Sequence, residues 1–370
     1  MAGDSQKTTL IEESKSLWNT GHQPAGCPHC RRAFLVPPDQ TAAPCPLCRQ
    51  ANLEKQPVRM RPAEPERILP FQIGKEKLKT IYEDFISGVW IKAEDFSTER
   101  LLERTVPVFW PLWLVDSDIH GHWQMEAGFD YQVQSTKESF SGGAWHSRKQ
   151  IEDRVRWEPR LGELKTHVDN VNVPALEEHR NREKMTGPYH LEHTQAFSMK
   201  QSGNAILEVP DLPPEEAWPL ARPQVDKTAA RICATAAGAQ HQRNFALKAD
   251  YGNLNWTQFL LPLYATFYKD DEGQPQMVIV NGETGEINGP RLASRKRGLK
   301  IAGMIAGAAG LLLILALLSL LLTLIFPPAA IIVVLLGILG FATGVAAIIP
   351  AVWPNQWNRK QEGPRIVTRR

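Results

Sequence analysis

Charge is missing from one long stretch of this chain: no acidic or basic residue occurs between Lys300 and Arg359. That absence argues against an ordinary soluble helical pair, because a helix at a protein surface keeps a polar face. Cysteine is scarce too, five in 370 residues, with four of the five in the stretch 27–48. This excludes a disulfide-stapled secreted scaffold, which is small and cysteine-dense. The net charge is only +2, so nothing global points to nucleic acid. The opening MAGDSQKTTLIEESKSLWNT has no apolar core, so a signal peptide is not expected and the reducing cytoplasm is. Also missing are the phosphate cradle G-x-x-x-x-G-K-S/T, a strand-linked G-x-G-x-x-G, the nucleophile elbow G-x-S-x-G and the HExxH zinc-hydrolase signature. No catalytic motif is recognised, and the chain is not expected to be an enzyme.

What is present starts with the uncharged stretch. A spanning helix needs about 20 apolar residues to cross a hydrocarbon core of about 30 Å. IAGMIAGAAGLLLILALLSLLLTLIF predicts one transmembrane helix over 301–326, and the run after Pro327–Pro328 predicts a second over 329–349. A re-entrant hairpin satisfies the same composition. Arg291, Arg295, Lys296, Arg297 and Lys300 make a basic juxtamembrane segment, 291–300. Arg359, Lys360, Arg365, Arg369 and Arg370 give the tail 350–370 the same sign, while the turn between the helices is uncharged. Positive charge collects on the cytoplasmic side, so a two-pass protein of the plasma or inner membrane with both ends cytoplasmic is expected. Trp353 and Trp357 suit the interfacial belt, and Gly303/Gly307 and Gly340/Gly344 give each helix a face open to close approach.

The cysteines form CPHC and CPLC, two C-x2-C pairs separated by fourteen residues. Each pair makes a tight knuckle that aims two thiolates at one point. The spacing predicts a zinc ribbon over 21–53, with Cys27, Cys30, Cys45 and Cys48 around one structural Zn2+. Two redox dithiols are the rival. Cys233, in an alanine-rich helical run, reads as a small buried hydrophobe. Near the ribbon only Arg31, Arg32 and Arg49 are basic, with Phe34 the single aromatic, which is thin for a nucleic-acid surface.

The fold class expected is α+β: a tail (1–20), the ribbon, a proline- and charge-rich linker (54–67), a mixed antiparallel sheet-and-helix domain (68–290) and the membrane hairpin. Leu78, Ile81, Phe85 and Val89 recur at helical spacing, and a short helix is predicted over Thr98–Arg104. Strands follow with a turn near Gly128, then a second strand pair, an alanine-rich helix from Pro223 and a final hairpin turning at Asp271–Gly273. VFWPLWLVD and FLLPLYATF share a Pro-Leu-aromatic step that allows a two-fold internal repeat. Trp110, Trp113, Trp145, Trp157 and Trp256 lie in these strands and read as core. Asp116, Asp118, His120 and His122 alternate along DSDIHGH and would share one strand face, either as a second metal or acid–base site or as a solvated face. His190 and His193 lack a third ligand in the local pattern.

CPHC and CPLC, then ILPFQIGKEKL, VFWPLWLVD and VNGETGEINGPRLASRKRG, resemble the prokaryotic membrane proteins described as TFIIB-type zinc-ribbon-containing proteins. Some members are labelled relatives of the primosomal helicase, but only the cysteine knuckles are shared with it. Leu292 and Ser294 stand where that family usually has proline and serine. The resemblance implies no established activity; it implies protein partners, among them SPFH (flotillin-like) membrane scaffolds. The expectation is therefore a non-catalytic membrane adaptor. A nucleic-acid binder built on the ribbon and a membrane enzyme centred on Asp116, Asp118, His120 and His122 are the alternatives.

Overall fold

The computed structural model describes residues 22–55, 64–323 and 326–361. The expected tail 1–20, most of the 54–67 linker, residues 324–325 of the first membrane helix and Arg365, Arg369 and Arg370 lie outside them. The architecture is α+β, with a mixed sheet and two apolar C-terminal helices. Contacts divide the chain into two units, one of residues 1–111, 178–211 and 260–370 and the other of 112–177 and 212–259.

The first unit begins with β1 (Gln23–Gly26) and β2 (Ala33–Val36), paired antiparallel, and β3 (Glu54–Lys55) on the other side of β1. β4 (Arg67–Ile68) precedes α1 (Lys75–Ser87) and α2 (Thr98–Glu103), both helices close to their expected positions. Leu78, Tyr82, Phe85 and Ile86 fall on one face of α1 and bury it. The Ser97 side chain accepts from the Arg100 amide and caps α2. β5 (Val106–Ser141) then starts, and its first residues run parallel to β8 (Ile206–Glu208), which in turn pairs antiparallel with β2. The cysteine-bearing segment is thereby part of the sheet rather than a bead on a linker. β9 (His241–Lys269) pairs with β10 (Pro275–Asn281), and β10 with β11 (Ile287–Asn288), completing this side of the sheet.

The second unit is built on β5 and β6 (Ala144–Pro174), antiparallel from Leu112↔Pro174 to Ser141↔Ala144. The turn expected near Gly128 is not there; β5 passes straight through it. Gly128 serves close approach instead: a Cβ at that position would meet Val155 Cγ1 at 2.8 Å and the His241 Cβ at 2.9 Å. The chain reverses at Gly142–Gly143, whose φ of +61° and +82° suit glycine. The polar section holds α3 (His179–Thr186), β7 (Gln195–Ala196) and α4 (Met199–Ser202), all in the first unit. In the second, α5 (Pro214–Ala236) starts nine residues before Pro223 and lays Ala217, Ala221, Val225, Ala229 and Cys233 on the strands. Trp110 and Trp113 are buried as expected, but Trp145 is 70% exposed, because among the described residues no layer lies beneath the hairpin end that carries it. The two proline-bearing strands are neighbours; β5 pairs onward with a 31-residue strand and β9 with a seven-residue one.

α6 (Arg295–Thr323), a 3-10 turn at Pro327–Ala329, α7 (Ala330–Ala346) and α8 (Ile348–Arg359) form the C-terminal hairpin. Two continuous helical stretches, Arg295–Thr323 and Pro327–Arg359, are long and apolar enough to cross a membrane. Gly340 faces Leu313 and the Ala309 carbonyl of α6, and Gly344 lies against the Ala309 Cβ, whereas Gly303 and Gly307 have open space. One small-residue face is used inside the hairpin. Trp353 and Trp357 of α8 pack on the α1 cluster, with Trp357 Nε1 donating to the Arg291 carbonyl at 2.6 Å. The Asn358 side chain holds both the amide and the carbonyl of Ala293.

Candidate metal centre

The two C-x2-C knuckles are built alike. In the first, Cys27 O accepts from Arg31 N at 2.9 Å and Cys27 N donates to Arg32 O at 2.9 Å. In the second, Cys45 O accepts from Arg49 N at 3.2 Å and Cys45 N donates to Ala51 O at 2.9 Å. Each knuckle closes on a left-handed residue, Arg31 (φ 57°) and Arg49 (φ 56°). An L-residue pays roughly 1–2 kcal/mol in that region, which glycine escapes. Arg31 is exposed and its side chain fills no core. Arg31→Gly is therefore expected to stabilise the fold by about 0.5–1 kcal/mol, read as a higher denaturant midpoint at unchanged slope.

The four thiols are buried, free of disulfides and mutually within 4.8 Å. Cys27 Sγ lies 3.6 Å from Cys48 Sγ, and Cys30 Sγ lies 3.8 Å from Cys45 Sγ. A disulfide would require about 2.05 Å. Four sulfurs at about 2.3 Å from a tetrahedral ion stand about 3.8 Å apart, so the cluster fits a metal ion. Hydrogen bonding to Cys45 and Cys48, together with burial, holds the Cys30 thiol far above its ordinary value. Cys48 is pulled down because Cys30 and Cys45 hydrogen-bond to its thiolate.

Directly behind the first knuckle lies a buried ionic network. Arg32 pairs with Glu178 just before α3 and has its Nε 3.6 Å from Glu208 Oε1. Glu208, on β8, is held from the other side by Arg182 of α3, whose Nη2 donates to Oε1 at 3.2 Å while Nη1 lies 3.0 Å from Oε2. Burial depresses the Arg182 guanidinium and the Glu208 carboxylate opposes that shift. The pairing of Phe34 with Glu208 across β2 and β8 sets this geometry.

The arginines around the ribbon do not make a common surface. Arg32 is buried in the network, Arg49 lies over the Phe267 ring at 4.8 Å, and Phe34 is fully buried; Arg31 alone of the three is exposed.

No family model, no curated protein and no solved structure matches the chain. The site must be read from its own geometry.

The DSDIHGH row does fall on one face, with Val115, Ser117 and Ile119 buried on the other. It is tied into cross-strand pairs: Asp116 accepts from Asn170 N and Asn255 Nδ2, and Asp118 from Asn253 Nδ2 and the His167 ring. Asp118 is held below the usual carboxylate range by the hydrogen bond from His167, and His167 is raised by the same bond. Among the described residues two side-chain groups are placed to hold a metal, and this row is neither. The second is His190, His193 and Glu283. Sequence reasoning missed Glu283, because it lies 90 positions beyond His193 and no local period links them.

Proposed function

We propose that this chain is a two-pass protein of the plasma or inner membrane, with both ends cytoplasmic, acting as a non-catalytic adaptor for protein partners. Cys27, Cys30, Cys45 and Cys48 hold one Zn2+, and its role is structural. Zinc is the assignment supported by four thiolates in tetrahedral spacing. With every ligand a buried cysteine, no position is left for substrate. The basic flanks of the apolar helices support the orientation.

One observation carries the adaptor reading. From Asp130 to Glu163 no side chain described is buried, although β5 and β6 stay in register to Ser141↔Ala144. A two-stranded ribbon exposed on both faces is marginal in water and gains from a covering surface. Its end carries Phe140 and Trp145 in edge contact at 5.4 Å between ring centroids, exposed by 61% and 70%. Aromatic anchors of this kind dominate protein interfaces. The partner class that the family resemblance suggests is the SPFH-type membrane scaffold.

A photoreactive amino acid at position 140 or 145, activated in native membranes, tests this. The expected result is a discrete protein adduct that disappears when the photoreactive residue is moved to Lys248. Labelling of lipid or of nucleic acid alone from the hairpin end would overturn the reading.

A further inference from the structure

A 3-10 turn, Leu191–His193, places His190 and His193 above one another, since residues three apart eclipse in that helix. Both rings turn the same way. His190 Nδ1 lies 3.3 Å, and His193 Nδ1 3.1 Å, from the same carboxylate oxygen, Glu283 Oε1. The other oxygen, Oε2, accepts from the His190 amide at 2.9 Å, so the carboxylate cannot swing away. Glu283 is buried, while the two imidazoles are more than half exposed.

The frame around these three residues fixes them from both ends of the chain. Asn281 is fully buried, and its Nδ2 donates to the carbonyls of Thr186 and Pro188, just ahead of His190. Its Oδ1 accepts from the amides of Glu283 and Thr284, setting the turn that carries the carboxylate. Tyr189, next to His190, donates to the Pro262 carbonyl at 2.9 Å and accepts from Trp110 Nε1 at 3.2 Å. One buried amide thus holds both ligand-bearing segments in register, the kind of support that ligating side chains receive from a metal site's outer partners.

We propose that His190, His193 and Glu283 form a second metal site, open to solvent, for a divalent transition cation of the Zn2+ or Co2+ class. Metal–nitrogen and metal–oxygen bonds of about 2.0–2.2 Å place donor atoms about 2.8–3.6 Å apart between right-angled and tetrahedral geometry, and the 3.3 and 3.1 Å separations of His190 and His193 from Glu283 fall in that range. Two imidazoles and one carboxylate select such ions over Mg2+ or Ca2+, which prefer all-oxygen shells. The exposed side of the rings leaves coordination positions for water or a ligand, in contrast to the closed cysteine site. The proposal stands independently of the adaptor reading.

The test uses the full chain in detergent, purified without a polyhistidine tag and loaded with a single equivalent of Zn2+, which the four thiolates take first, then titrated with Co2+. The wild type is expected to take up one further equivalent of Co2+ whose spectrum lacks sulfur-to-metal charge transfer. His193→Ala and Glu283→Gln are each expected to weaken that uptake by about tenfold or more, because loss of even an outer partner costs 10–100-fold. The zinc retained by the cysteines reports that each variant is folded, and His120→Ala should change nothing. No Co2+ beyond the cysteine site, or uptake undiminished in the His190→Ala/His193→Ala double variant, would overturn the proposal.

Discussion

Glu208→Ala is expected to cost about 3–5 kcal/mol, the usual penalty for removing one partner of a buried charge pair. Glu208 faces two guanidiniums, Arg32 and Arg182, each under 10% exposed, and it is itself 2% exposed. Truncation leaves Arg182 with no carboxylate at its end of the network and strips Arg32 of one of its two. The lost attraction is the smaller part; the larger is the desolvation of charges that no longer have a counter-charge. Glu208→Gln keeps the shape and two hydrogen-bonding groups and should recover part of the loss. The measurement is a chemical denaturation series on the detergent-solubilised chain. A shift under about 1 kcal/mol would show that water reaches Arg182. Arg182→Met with Glu208→Leu, which removes the buried pair together and leaves Arg32 its bond to Glu178, should be less damaging than Glu208→Ala if desolvation dominates.

That network marks the limit of what the sequence could reveal. The cysteine knuckles and the apolar hairpin were legible because their signals are local: a two-residue gap sets each knuckle, and twenty apolar residues set each span. The face of α1 was legible from helical spacing at Leu78 and Phe85. Gly128 was misleading because glycine signals both a turn and a place where another chain comes close, and only the fold tells which; the true turn used Gly142–Gly143. Proline hid the start of α5 in a similar way: Pro223 reads as the first turn of the helix, where proline is tolerated, but it sits inside a helix that begins at Pro214. Arg32 and Glu208 are 176 residues apart in sequence, and Glu283 is 93 and 90 residues from its histidines. Neither partnership leaves a periodic trace, because strand pairing and a single buried asparagine bring the groups together. The sequence therefore located the closed cysteine cluster but not what it is bonded to, and it discounted HLEH for want of a ligand that the fold supplies.

Cys45→Ser carries the second large effect. A structural zinc contributes about 10–16 kcal/mol of apparent binding free energy at pH 7, and a closed four-thiolate site that loses one ligand forfeits most of it. A free-standing ribbon would confine the damage to itself. The structure predicts that it spreads. β2 pairs with β8 at Phe34↔Glu208 and Leu35↔Leu207, and Arg32 on the same segment neutralises Glu208 and Glu178. Unfolding the knuckles withdraws Arg32 and bares the edge of β8, so limited proteolysis should open new cleavage within 178–211 as well as within 22–55. Membrane retention should nevertheless persist, because insertion depends on the apolar content of Arg295–Thr323 and Pro327–Arg359 and not on the metal. Chelation of wild-type protein should reproduce the cleavage pattern, and zinc should reverse it. Cleavage confined to 22–55 would show that the ribbon is separable after all. Loss of the chain from the membrane fraction would show that the hairpin needs the packing of Trp353 and Trp357 on the α1 cluster to stay inserted.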